Sequence, residues 1–202
     1  MSTGYAVPPG LSSKDIAEQV ACLKEFLSNL GESEIAEAQK QVLINCLASS
    51  DYPEFVAEQL VKVAPRLVNE LQALLHSDAP WNARFWTAML LLAVDIYTGV
   101  PLLLETVRQH RRDTWYVLAA NKLVHANQRA VIEYVLQALA ALSASPEAMS
   151  VHDAYEIAAL LNILELADEP APEGILKKLS TADLSAQHRL ALGFGFNRLN
   201  SL

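Results

Sequence analysis

The chain has little of what small secreted folds depend on. Two cysteines in 202 residues make no disulfide framework. If Cys22 and Cys46 sit on adjacent helices joined near Gly31, they lie nine residues before and fifteen after the turn. At about 1.5 Å of rise per residue they are roughly 9 Å out of level, too far to bridge without distortion, so free thiols are expected. Seven glycines and nine prolines are too few for a turn-rich all-β protein. Charged residues are only 19% against 52% hydrophobic, which excludes disorder and implies a filled core. A chain of this length buries enough surface to need no metal staple.

Basic charge is scarce as well. Fifteen basic and 23 acidic residues give a net charge of −8, whereas duplex binders draw affinity from neutralising phosphates and carry a basic surplus. The balance argues against general nucleic-acid binding. The charge is also segregated. Residues 1–60 hold 3 basic and 9 acidic side chains, 61–100 hold 3 and 3, 101–140 hold 5 and 3, and 141–202 hold 4 and 8. A mildly basic middle lies between acidic flanks.

Met1–Ser13 shows neither a basic n-region nor an apolar run, so no secretory signal is expected and the reading is cytoplasmic. Ala88–Leu104 contains one charge, Asp95, but Gly99 and Pro101 interrupt it and no basic flank follows. A buried helix followed by a second helix is expected there, without a membrane span.

Motifs that carry chemistry are missing too. No glutamate is followed by histidine three residues later, and His-Glu-x-x-His is absent. His152 and Glu156, four apart, read as a solvated pair near a helix start. Gly193-Phe-Gly195-Phe lies inside a helical pattern rather than after a strand, so it is no phosphate loop. No Gly-x-Ser-x-Gly elbow occurs. No enzyme activity, metal or cofactor is expected.

What is present is helical periodicity almost throughout. After a flexible lead-in at 1–12, Ile16, Val20, Leu23 and Leu27 share one face, and Ile35, Ala38, Val42 and Cys46 share the next. Asp51 and Glu54 read as a capping-box-like start, and Glu58–Lys62 as an i,i+4 surface pair. The stripe Val56, Leu60, Val63, Leu67, Leu71, Leu74 keeps its phase across Pro65, which predicts a kinked helix. Pro80 opens an aromatic-rich helix with Trp81, Phe85 and Trp86. Further helices are predicted near 101–110, 114–125 and 128–142. Ser150 and Asp153 cap another, and two more follow at 173–179 and 184–198. The fold class is all-α, one domain over 13–202, either a right-handed stack of antiparallel helical hairpins or a compact multi-helix bundle. Glu70, Glu105 and Glu133 recur at spacings of 35 and 28, and Phe85-Trp86 is echoed by Trp115-Tyr116. These spacings over about 50–142 resemble the irregular repeats of HEAT and armadillo proteins, a resemblance that implies a binding surface and no particular ligand.

The most specific local feature is a central basic and aromatic cluster: Arg108, Arg111, Arg112, Trp115, Tyr116, Lys122 and Arg129. Arginine forks and rigid aromatics are the side chains enriched at interface hot spots. The expectation is a non-catalytic protein-binding module, an adaptor or an acidic inhibitor of immunity type. A helical small-molecule or lipid pocket near Met89 and the 81–86 aromatics is the alternative.

Overall fold

The computed structural model describes residues 8–30, 34–109 and 115–193. Among them every regular element is helical: eleven α-helices, joined in places by single 3-10 turns. They are α1 (Ile16–Ser28), α2 (Glu37–Ser49), α3 (Pro53–Leu60), α4 (Val68–Leu75), α5 (Trp81–Ala93), α6 (Val100–Arg108), α7 (Trp115–His125), α8 (Val131–Leu142), α9 (Val151–Leu166), α10 (Glu173–Thr181) and α11 (Ala186–Gly193). The all-α expectation holds. The fold forms two compact units, Met1–Leu102 and Leu103–Leu202, with the division inside α6.

In the first unit, Asp15 caps α1, its carboxylate accepting from the N–H groups of Ala17 at 2.8 Å and Glu18 at 3.2 Å. The predicted stripes face inward for the most part, with Ile16, Val20 and Leu27 half-buried and Ala38 exposed. Leu23, Leu43, Leu47, Leu60, Leu67, Leu71, Phe85 and Leu91 are wholly buried, each leucine contributing about 1.5–3 kcal/mol by leaving water. α1 packs on α3, α2 on α4 and α3 on α5, and α2 also reaches α5.

Three expectations change here. The helix predicted over 51–74 is not kinked but broken: α3 stops at Leu60, Ala64–Arg66 form a 3-10 turn, and α4 starts at Val68. Pro65 lacks the N–H that would bond the Val61 carbonyl, and its ring crowds that carbonyl, so the ladder ends ahead of it. The lead-in is tied down from residue 8 onward. Pro9–Ser12 form a 3-10 turn with Leu11 buried, and the Leu11 carbonyl accepts from Gln19 Nε2 at 2.9 Å and from Cys46 Sγ at 3.7 Å. Buried Gln19 in turn accepts from Ser50 Oγ at 2.8 Å, so a polar pair inside the core is fully matched. The capping box at Asp51 and Glu54 does not form: the chain enters α3 through Tyr52 and Pro53, without a side-chain cap. Both thiols are free, as expected.

In the second unit, the Ser150 capping box on α9 is present as predicted. Ser150 Oγ accepts from the Asp153 N–H at 3.1 Å, and Asp153 Oδ2 accepts from the Ser150 N–H at 2.9 Å. α9 is apolar nearly all round and packs against α7, α8 and α11. Tyr116, near the start of α7, reaches Glu156 near the start of α9. Val124 and Asn127 at the end of α7 share a cavity with Leu166 and Asp168 at the end of α9. The two helices therefore run side by side in the same direction, and α8, which joins them, packs against both.

One feature recurs in both units. α5, α7 and α9 end on a left-handed residue that is not glycine: Asp95 (φ 61°), Asn127 (φ 55°) and Asp168 (φ 54°). At each end the following N–H reaches back five residues, Ile96 to Leu91 at 3.0 Å, Gln128 to Leu123 at 2.8 Å and Glu169 to Leu164 at 2.9 Å. The left-handed residue itself donates three residues back, to Leu92, Val124 and Glu165. That is the Schellman arrangement, which satisfies carbonyls the helix end would otherwise leave open. The three accepting leucines, Leu91, Leu123 and Leu164, are wholly buried.

Candidate binding surfaces

The described residues of the predicted basic and aromatic cluster, Arg108, Trp115, Tyr116, Lys122 and Arg129, have different surroundings. Arg111 and Arg112 lie outside the described residues. Arg108, exposed in the last turn of α6, is clamped by Glu105, with Nε–Oε2 at 2.7 Å and Nη2–Oε1 at 2.5 Å. The clamp holds the Glu105 carboxyl below its ordinary range and Arg108 above its own. Arg129 bonds the Glu169 carboxylate and reaches the Ala167 carbonyl at 3.4 Å, so it closes the end of α9 instead of facing outward uncommitted. Tyr116 is buried.

The tyrosine belongs to a polar cluster inside the second unit. Its hydroxyl donates to Glu156 Oε2 at 3.1 Å. Burial, and next the Glu156 charge, push the phenol well above its usual range. Glu156 is 7% exposed, which corrects the solvated pair expected of it and His152. His152 Nε2 stands 3.1 Å from Oε1, within ion-pair distance. The approach is off the line of a hydrogen bond, and Oε1 is buried without a hydrogen-bond partner. The i,i+4 spacing was readable, but the depth of Glu156 was not, because α9 is apolar on nearly every side and gives no phase to read.

Trp115 and Lys122, seven residues apart, do lie on the outer side of α7, both half-buried, with exposed Leu118 and His125 between and beyond them. The neighbouring outer side of α9 exposes His152, Tyr155, Asn162 and Leu166. Leu118, Tyr155 and Leu166 are 42%, 48% and 50% exposed.

No family model, curated protein or solved structure matches this chain.

A surface the sequence reading passed over lies in the first unit, on α3. Tyr52 and Phe55 are 43% and 44% exposed and meet edge to face at 6.5 Å. Val61 just after the helix is also exposed, and Asp51, Glu54 and Glu58 lie in the same stretch, followed by exposed Lys62. The signal was there, two aromatics and three acids within eight residues, but helical periodicity alone assigned Asp51 and Glu54 to a cap and Glu58 to Lys62. α3 ends at Leu60, ahead of Lys62, so the expected i,i+4 pair has no helix to hold it.

Half-open cavities of about 140 Å³ at the ends of α7 and α9, about 280 Å³ beside Leu11, Val42 and Cys46, and about 430 Å³ beside Asp168 and Glu169 occur. None of the three is lined by Met89 or the 81–86 aromatics. Trp81 stacks on Phe85 at 5.2 Å and Trp86 meets Phe85 edge-on at 5.4 Å, so Phe85 is buried in the core of the first unit with the two half-buried tryptophans against it. Among the described residues no three His, Cys, Asp or Glu side chains converge as a metal site, and no helix is long and apolar enough to cross a membrane.

Proposed function

We propose that the protein is a non-catalytic, cytoplasmic binding module that engages a protein partner through its outer helix faces, as an adaptor or an acidic inhibitor does. The observation that carries this reading is the exposure of Leu118, Tyr155 and Leu166 on the parallel pair α7 and α9, beside Trp115 and Lys122. Large apolar side chains interleaved with polar ones on rigid helices are the usual anatomy of a hot-spot region. We further propose that each unit is a short HEAT-like stack of helical hairpins. The contacts of α1 with α3, α2 with α4, α3 with α5, α7 with α9 and α9 with α11 support this, since stacked hairpins place every second helix side by side.

The test is co-purification of the tagged chain at native expression level, followed by reconstitution with the purified candidate. Leu118→Asp combined with Tyr155→Ala, both at exposed positions, is expected to weaken a reconstituted complex by at least about tenfold while leaving the fold intact. Unchanged affinity in that variant refutes the α7–α9 face as the interface.

A further inference from the structure

We propose that the outer face of α3 docks a cationic protein segment, one whose arginine or lysine side chains lie over Tyr52 and Phe55 and meet Asp51, Glu54 and Glu58. This rests on the reading of the chain as a binding module, and it adds a second surface with a stated partner chemistry.

Three observations lead to it. First, both structural duties that local sequence suggests for these acids are absent. The capping box does not form, and the Glu58–Lys62 pair is lost because the helix stops at Leu60. None of the three carboxylates has a cationic partner within the described residues. Second, the contrast with the basic cluster is sharp. Arg108 is neutralised by Glu105 and Arg129 by Glu169, so the described ends of that patch are compensated internally while the α3 acids are not. Third, the carboxylates fall within the same eight residues as two aromatic rings that are more than 40% exposed and already meet edge to face. An aromatic face attracts a guanidinium or ammonium, and carboxylates at its edge accept that cation's N–H groups. A preset aromatic pair loses little rotamer freedom on binding.

The first sixty residues are acidic on balance, 9 acids against 3 bases, with exposed Lys62 and half-buried Arg66 just beyond α3, and this net bias speeds the arrival of a basic segment.

The experiment uses the full chain and a fluorescein-labelled sixteen-residue peptide, helical by design, with arginines on one face and leucines on the other. Its binding is read by fluorescence anisotropy at low and physiological salt. The expected result is saturable 1:1 binding that weakens as salt rises. Tyr52→Ala with Phe55→Ala, and separately Glu54→Gln with Glu58→Gln, should each weaken it at least about tenfold. A control removes equal charge elsewhere through Glu133→Gln with Glu173→Gln and should bind like the wild type. Circular dichroism and the melting temperature check that every variant is folded. If all variants and the control weaken alike, the peptide senses only net charge and the proposal fails. It also fails if the wild type self-associates and the Tyr52/Phe55 variant does not, since the face then belongs to a second copy. If the wild-type chain does not bind the peptide while its complex through α7 and α9 is intact, this inference is overturned and the binding-module reading still stands.

Discussion

The left-handed helix ends offer a prediction whose size can be worked from the structure. Asp95, Asn127 and Asp168 hold φ near +55 to +61°, are exposed, and make no side-chain hydrogen bond that glycine would forfeit. A left-handed residue with a Cβ costs about 1–2 kcal/mol, less for Asn and Asp, which tolerate the region. Glycine removes that cost but adds unfolded-state entropy worth about 0.4–1 kcal/mol. The two aspartates carry a further penalty of about 0.3–1 kcal/mol, because a negative charge faces the negative end of the helix dipole. Asp95→Gly and Asp168→Gly should therefore stabilise by about 0.5–1 kcal/mol, while Asn127→Gly should be near neutral. A gain of 1 kcal/mol raises the melting temperature of a domain of this size by about 2–4 °C. The assay is thermal and urea unfolding of the three single variants with Asp168→Ala alongside, which keeps the Cβ and loses the tolerance. Asp168→Ala should destabilise. If Asp168→Gly falls with it, or if Asn127→Gly gains as much as the aspartates, the argument from backbone strain and dipole is wrong.

Other outcomes follow from single contacts. A Cβ on Gly99 would stand 2.6 Å from the Ala88 Cβ and 2.7 Å from its Cα, so Gly99→Ala should cost about 1–3 kcal/mol, read by urea denaturation. Burial pushes the Cys46 thiol up to about 11, so a thiol reagent at about pH 8 should modify it only on unfolding; rapid labelling of native protein would contradict its burial. Lys40 Nζ donates to Glu70 Oε1 at 2.9 Å. That bond raises Lys40 above 10.5, and although desolvation pushes Glu70 up, the ammonium brings it below 4.5 overall. A lowered acid stabilises above its unfolded pKa and a raised base below its own. The stability gap to Lys40→Met should accordingly be flat from about pH 6 to 9 and close on both sides. Replacing buried Glu156 with Leu removes the carboxylate that accepts from the Tyr116 hydroxyl, a cost of about 1–3 kcal/mol. Adding Tyr116→Phe should recover most of that loss, and a double-mutant cycle that shows no recovery would argue against the contact as described.

Helix identity and phase could be read directly from the chain, since which side of a helix is buried depends on residues three and four apart. Ile16, Leu23 and Val42 point where their spacing puts them, and Ser150 caps α9 because a cap needs only its own next three residues. Pro65 announced a disturbance, but only the fold settled kink against break, because a continuous apolar stripe is compatible with both. The fate of charges and of single aromatics was decided entirely in three dimensions. Arg129 finds Glu169 forty residues away, Tyr116 turns in toward Glu156 at the same separation, and Leu11 is pinned by Gln19 and Cys46. On α3 the reverse happens: acids with evident local partners lose them because the helix is one turn too short. The hydrophobic pattern along the chain determines which elements form, through short-range geometry. Which polar groups are consumed and which remain open to a partner depends on contacts between residues far apart in sequence, and those exist only once the helices have packed.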